Sequence, residues 1–223
     1  MALRLSETAG ARDHRPSTVH PSHAAGARSV PEIREFLFAI YRDGVAGRTR
    51  RASSSDLGSL AAIEVAAGAR FRDIRLDDIA DDPGPTIAEL APHLDNSTIW
   101  VAEDGDTIVG YATASIVDGE GHLDQVSVIP EAGGKGFGLG LITEVHSWAH
   151  LEGLPSVTLT TFRDVAWNGP FYERFGYMVL SDDDLGPELR AIRQHEIDAG
   201  LDVLPRVAMR LVLPAPPFGS VRS

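Results

Sequence analysis

Four glycines alternate with other residues in the stretch Gly134-Lys135-Gly136-Phe137-Gly138-Leu139-Gly140, and Gly133 precedes them. No other segment restricts the fold as much. An apolar run from His122 to Pro130, with β-branched residues at its C-terminal end, leads into it. A helix-like run from Leu141 to Glu152 leads out of it. Strand, bare-backbone loop and helix start, in that order, make an anion-binding device. Glycine lets the backbone approach a ligand closely, and the unpaired N–H groups of a first helical turn point at negative charge. A phosphate-bearing ligand is the expected guest. Lys135 is the only lysine of the chain, and the other 19 basic residues are arginine.

Two better-known phosphate loops fail on spacing. A Walker loop needs Ser or Thr after Gly-Lys, and Gly136 stands there. A dinucleotide fingerprint needs a third glycine where this chain has Leu139 or Leu141.

The pattern around the loop predicts a mixed α/β domain. A first strand is expected at Thr49–Ala52, then a helix capped by Ser55 or Asp56 with Leu60, Ile63, Ala67 and Phe71 in its stripe. A short helix over 86–94 and a strand over 99–103 follow. Asp104-Gly105-Asp106 turns the chain into a return strand over 107–117. The third strand spans 122–129, the helix after the loop 138–152 and the next strand 157–162. A short helix over 170–175, a strand over 177–180, a helix over 185–199 and a last strand over 206–213 complete the pattern. Residues 1–30 read as a disordered or loosely attached tail, 31–48 as a helical extension with its helix at 31–41, and 214–223 as a C-terminal tail.

Composition narrows the function. The chain has no cysteine, so disulfides, thiolate metal sites and a Cys-acyl mechanism are excluded. No apolar run reaches membrane-spanning length, and the first residues lack the apolar core of a signal peptide. A cytoplasmic protein is expected, and the arginine-for-lysine bias suggests a bacterial genome. Residues 1–52 carry nine arginines against five acids, whereas residues 53–223 bear a net −16. An acidic body disfavours nucleic acid and suits a cationic substrate.

The ordered set resembles the GNAT superfamily of N-acetyltransferases over residues 49–213. Its pyrophosphate signature, Q/R-x-x-G-x-G/A, falls on Gly133, Gly136 and Gly138, with Gly133 in place of the usual Gln or Arg. The stretch Asn168-Gly169-Pro170-Phe171-Tyr172-Glu173-Arg174-Phe175-Gly176-Tyr177 follows as in the superfamily. The segments 63–68 and 158–165 are similar to a bacterial subgroup without an assigned substrate.

The resemblance implies a three-layer α/β fold with a mixed, mostly antiparallel, V-shaped sheet. It implies acetyl-CoA as cofactor and transfer to a primary amine by direct attack in a ternary complex. A small-molecule amine is the expected partner, with neither nucleic acid nor membrane. A homodimer stays open. Residues 133–140, namely Gly133, Gly134, Lys135, Gly136, Phe137, Gly138, Leu139 and Gly140, would hold the pyrophosphate. The backbones of Val126, Ser127 and Val128 would pair with the pantetheine arm, with Asn168 and Tyr172 also at the cofactor.

Tyr172 matches the general acid of the superfamily. His122 stands where a general base often does, although a strand-end surface histidine reads equally well there. Asp124 faces the same side and could orient His122 or attract a cationic amine. Glu64 is the rival base and a substrate contact, and as a helix carboxylate it also reads as solvated. His146 and His150, spaced i,i+4, read as part of a solvated polar face rather than a metal pair. The alternative function is a CoA-binding regulatory module with weak or absent turnover.

Overall fold

In the computed structural model, residues 48–214 are described. The expected tail over 1–30, the helix over 31–41 and nearly all of the C-terminal tail lie outside them.

Seven strands form one sheet in the order β1-β2-β3-β4-β5-β7-β6. They are β1 (Arg48–Arg51), β2 (Ile99–Asp104), β3 (Thr107–Val117), β4 (Glu120–Val128), β5 (Ser156–Phe162), β6 (Met178–Val179) and β7 (Arg206–Val212). All neighbours pair antiparallel except β4 and β5. The helices are α1 (Leu57–Gly68), α2 (Asp77–Ala80), α3 (Ile87–Asp95), α4 (Phe137–Leu151), α5 (Gly169–Glu173) and α6 (Pro187–Asp198).

Two faces of the sheet bury two different side-chain sets, which is why β2 and β5 read as continuous apolar or β-branched runs. On one face α4 packs Leu141, Ile142, Val145 and Ala149 against Trp100, Ala112, Leu123, Val126 and Leu159. On the other, α1 packs Leu57, Leu60 and Ile63 against Ile99, Val101 and Tyr111, with Leu90 of α3. Asp118 and Gly119, both at positive φ, close the β3–β4 hairpin. Asp118 has a second task. Its carboxylate accepts the backbone N–H groups of Glu188 at 3.0 Å and Leu189 at 2.9 Å, capping α6 from 70 residues away. A Cβ on Gly186 would meet that carboxylate at 2.3 Å, so a side chain there would have to displace the Asp118 cap.

Three local expectations are corrected. The first helix stops at Gly68 and tightens into a 3₁₀ turn, Ala69–Ile74, which lets Phe71 pack edge-on against Phe162 at 5.8 Å instead of continuing the α1 stripe. Asp56 occupies the cap position of α1 without a side-chain cap. Its carboxylate is held by the Arg50 guanidinium and by the backbone N–H and hydroxyl of Ser53, which keep it ionised well below the usual carboxylate range. The strand expected over 177–180 is only two residues long, because Tyr177 turns into the core.

Candidate active site

β4 and β5 pair at only two positions, Gly121 with Val157 and His122 with Thr158. Beyond these the strands part, and the sheet opens. The backbone lining the opening can be assigned from the ladder with β3. Ile129 N–H donates to Val109 at 2.9 Å, so Ile129 and Ser127 direct their peptide groups toward β3. Alternation then turns the N–H and C=O groups of Val126 and Val128 into the gap. This is the geometry needed to pair with an inserted extended chain.

The gap widens into a groove of about 690 Å³. Val126, Ser127 and Val128 form one wall, and Gly133, Gly134 and Gly136–Leu139 form its end. Gly134 and Gly136 have φ of 73° and 86°, a left-handed conformation that glycine adopts without strain. Gly136 is the N-cap of α4, so the unpaired N–H groups of the first turn lie at the groove. A Cβ on Gly133 would lie 2.9 Å from the carbonyl oxygen of Pro130. The 3₁₀ turn Pro130–Ala132 therefore goes with glycine at this signature position, where the superfamily carries Gln or Arg.

Several expected cofactor residues lie elsewhere. Lys135 and Gly140 do not line the groove. The Lys135 ammonium sits 3.3 Å from Asp104, with both side chains half exposed. Gly140 is buried one turn into α4 and donates its N–H to Gly136. Asn168 ends the β5–α5 connection. Its carbonyl accepts from Phe171 and Tyr172, but its side chain does not cap α5. Instead Nδ2 donates to Thr161 Oγ1 at 2.8 Å. A Cβ on Gly169 would meet the carbonyl oxygen of Arg163 at 2.2 Å.

The opposite wall was not legible in the sequence. Phe171 and Phe175 from the α5 region and Arg70 and Asp73 from the 3₁₀ turn line the groove with Trp167. The Arg70 guanidinium stacks 3.9 Å above the Trp167 ring. Partial burial lowers its pKa while Asp73 opposes that fall.

His122 is the last paired residue before the strands part, and it is buried. Its Nδ1 lies 2.9 Å from Thr158 Oγ1, which in turn donates to the Gly121 carbonyl at 3.2 Å. A hydroxyl has one proton. With that proton on Gly121, Nδ1–H is the donor to Thr158, and Nε2 carries the lone pair. Burial lowers the imidazole pKa, opposed by Asp124, Glu196 and Asp118. The ring is thus neutral near pH 7. Asp124 does not hydrogen-bond His122. Thr158 orients the ring, and Asp124 accepts from Ser115 Oγ at 2.7 Å.

Two carboxylate and histidine expectations are overturned. Glu64 is buried rather than solvated, and it accepts the Tyr111 hydroxyl. His146 and His150 are buried as well. His146 Nε2 lies 2.7 Å from the Tyr177 hydroxyl, since Tyr177 fills the space beside α4 that the helical pattern left to water. Among the described residues no group of acidic, histidine or cysteine side chains is arranged to hold a metal. Tyr172 is fully buried, with edge contacts to Phe171 at 5.3 Å and Tyr177 at 5.6 Å. Burial pushes its phenol pKa up, so the proton is retained. Neither Tyr172, His122, Asp124 nor Glu64 lines the groove itself.

Comparison with known proteins gives the same architecture. The family described as Acetyltransferase (GNAT) family matches residues 67–177. Among solved structures, Rv2747 from Mycobacterium tuberculosis in complex with CoA is 21% identical, with a TM-score of 0.53 over 75% of this chain and 99% of that one. A PaiA N-acetyltransferase from Thermoplasma acidophilum in complex with coenzyme A is 16% identical, with a TM-score of 0.57 over 75% and 99%. N-acetylglutamate synthase from Neisseria gonorrhoeae is 17% identical, with a TM-score of 0.57 over 77% of this chain and 36% of that one. At these identities the likeness is one of fold. The matched family segment, the parted β4–β5 pair and the glycine loop agree, and the chain belongs to the GNAT acetyltransferase superfamily.

Proposed function

We propose that this protein transfers the acetyl group of acetyl-CoA to the primary amine of a small molecule, both substrates being bound together. The observation that carries the reading is the groove between β4 and the wall of Arg70, Trp167, Phe171 and Phe175, closed by left-handed glycines at the start of α4. Its shape and donors fit CoA. The N–H groups of residues 136–139 suit a pyrophosphate, and the backbones of Val126 and Val128 suit the amides of a pantetheine arm. All three structural neighbours above carry CoA in their complexes, which supports the same cofactor here.

When bound, the thioester supplies an activated acetyl group. The chain's residues have the following tasks. The Val128 N–H, directed into the gap, is available to a developing oxyanion. His122, neutral and with its lone pair on Nε2, takes the proton of the attacking amine, directly or through a water. Tyr172, whose burial keeps the phenol protonated, supplies a proton to the leaving sulfur. Glu64 is engaged by Tyr111, which makes it the second choice as base. Asn168 braces β5 against α5 through Thr161 and so fixes where Tyr172 stands.

The test is release of CoA thiol from acetyl-CoA across a panel of amines, proteins included. Amine-dependent, saturable release with small amines supports the reading. Tight CoA binding without release for any amine would instead make the protein a CoA-responsive regulatory module, the reading that the Gly133 departure favours.

A further inference from the structure

The β3–β4 ladder slips by one residue between Thr113 and Ala114. Thr113 faces Gln125 and Ala114 faces Leu123, so Asp124 is the extra residue of a β-bulge. Leu123 and Ala114 point into the α4 core. Gln125 shares the face of Thr113, and Asp124 reaches Ser115, two residues further along that same face of β3. The bulge therefore puts two consecutive polar side chains on one face, where a regular strand would have sent them to opposite faces. That face is the one covered by α1, and His122 lies on it opposite Ser115.

Both side chains keep one buried oxygen that receives no hydrogen bond from the described residues, Oδ2 of Asp124 and Oε1 of Gln125. Gln125 is 1% exposed. Its Nε2 is spent on Ser127 Oγ at 2.9 Å, as the other Asp124 oxygen is spent on Ser115. No described cation pairs with Asp124, whereas the buried Glu196 nearby is matched by Arg206 and Arg193. Two bare acceptors, one of them charged, buried on the same face at consecutive residues, call for a donor-rich cation. The rest of this face is hydroxylated by Thr113, Ser115, Ser127 and Thr158.

We infer that Asp124 Oδ2 and Gln125 Oε1 form the seat of the acceptor's ammonium group, and that the acceptor is a small, hydrophilic amine bearing hydroxyl or further amino groups. The inference rests on the acetyl-transfer reading and names its substrate class. The seat takes up the protonated amine beside His122. Loss of one proton to Nε2 leaves the nitrogen neutral while its remaining N–H groups stay on the two oxygens.

The experiment is calorimetric titration of the CoA-loaded protein and of the protein alone with glucosamine, spermidine, tryptamine and neutral N-acetylglucosamine. Glucosamine or spermidine should bind, with tryptamine weaker and N-acetylglucosamine without binding. Asp124→Asn keeps the shape and the Ser115 bond, and should weaken binding at least tenfold. Gln125→Glu adds a charge to the seat and should tighten it. Equal affinity in wild type and Asp124→Asn, or binding of none of the cations, overturns the seat. The two readings separate cleanly. Thiol release that persists with unchanged KM in both variants rejects the seat and keeps acetyl transfer. Cation binding that responds to both variants without any thiol release keeps the seat and rejects transfer.

Discussion

Lowering the pH should destabilise the fold through His146, and the size of the effect follows from its burial. The ring is wholly buried beside Tyr177, and burial lowers its pKa from 6.5 to about 3. In the unfolded chain the same imidazole titrates near 6.5. The folded value is the depressed one, so as pH falls below 6.5 the unfolded state takes up a proton that the native state refuses. The contribution is intact above about pH 7 and is lost as pH descends toward 3. At pH 5 the linkage amounts to about 2 kcal/mol, from the ratio of proton uptake in the two states. That is a large part of a typical domain stability of about 5–15 kcal/mol. The assay is urea unfolding at pH 7.5 and pH 5.0 for wild type and His146→Gln. His122 and His150, also buried, contribute to both proteins alike, so the difference between the two pH dependences isolates His146. Wild type should lose about 2 kcal/mol more than the variant between these pH values. Equal losses would show that the ring is not held neutral, and the buried pairing with Tyr177 would be wrong.

The remaining predictions concern the site and its frame. Tyr172→Phe keeps the ring contacts and removes the proton, so kcat should fall by about 10²-fold with CoA affinity unchanged in calorimetry; full kcat would remove Tyr172 from the chemistry. In wild type the acidic limb of kcat/KM should lie below pH 6.5, because burial lowers the His122 pKa and activity requires the neutral ring. His122→Ala should abolish that limb, and its survival in a pH–rate profile would pass the role to Glu64. Gly169→Ala forces a Cβ to within 2.2 Å of a backbone oxygen, so unfolding measurements should show a loss of about 3 kcal/mol, and a neutral change would contradict the close approach of α5 to β5.

The glycine ladder was legible because its signal is local. Strand, loop and helix start are contiguous, and the positive φ of Gly134 and Gly136 is what alternating glycines serve. The β2–β3 hairpin was legible for the same reason, from Asp104-Gly105-Asp106 between two apolar runs. Side chains whose state depends on distant partners were not. Glu64 reads as a solvated helix carboxylate until Tyr111, 47 residues on, is placed above it. His146 reads as polar surface until Tyr177 closes over it. The Asp124 bulge leaves no mark in the sequence, since strand periodicity assumes an unbroken ladder. The Arg70–Trp167 stack joins two segments almost 100 residues apart, and only the fold makes them one wall.

The account stands on the glycine loop being a phosphate cradle. Calorimetric titration of CoA into wild type and Gly136→Asp tests this most directly. At Gly136, φ of 86° strains any side chain, and aspartate adds negative charge at the mouth of the α4 N-terminus. The account predicts saturable binding of CoA to wild type and loss of measurable binding in a variant that still shows the wild-type far-UV spectrum. Unchanged CoA affinity in folded Gly136→Asp would contradict it.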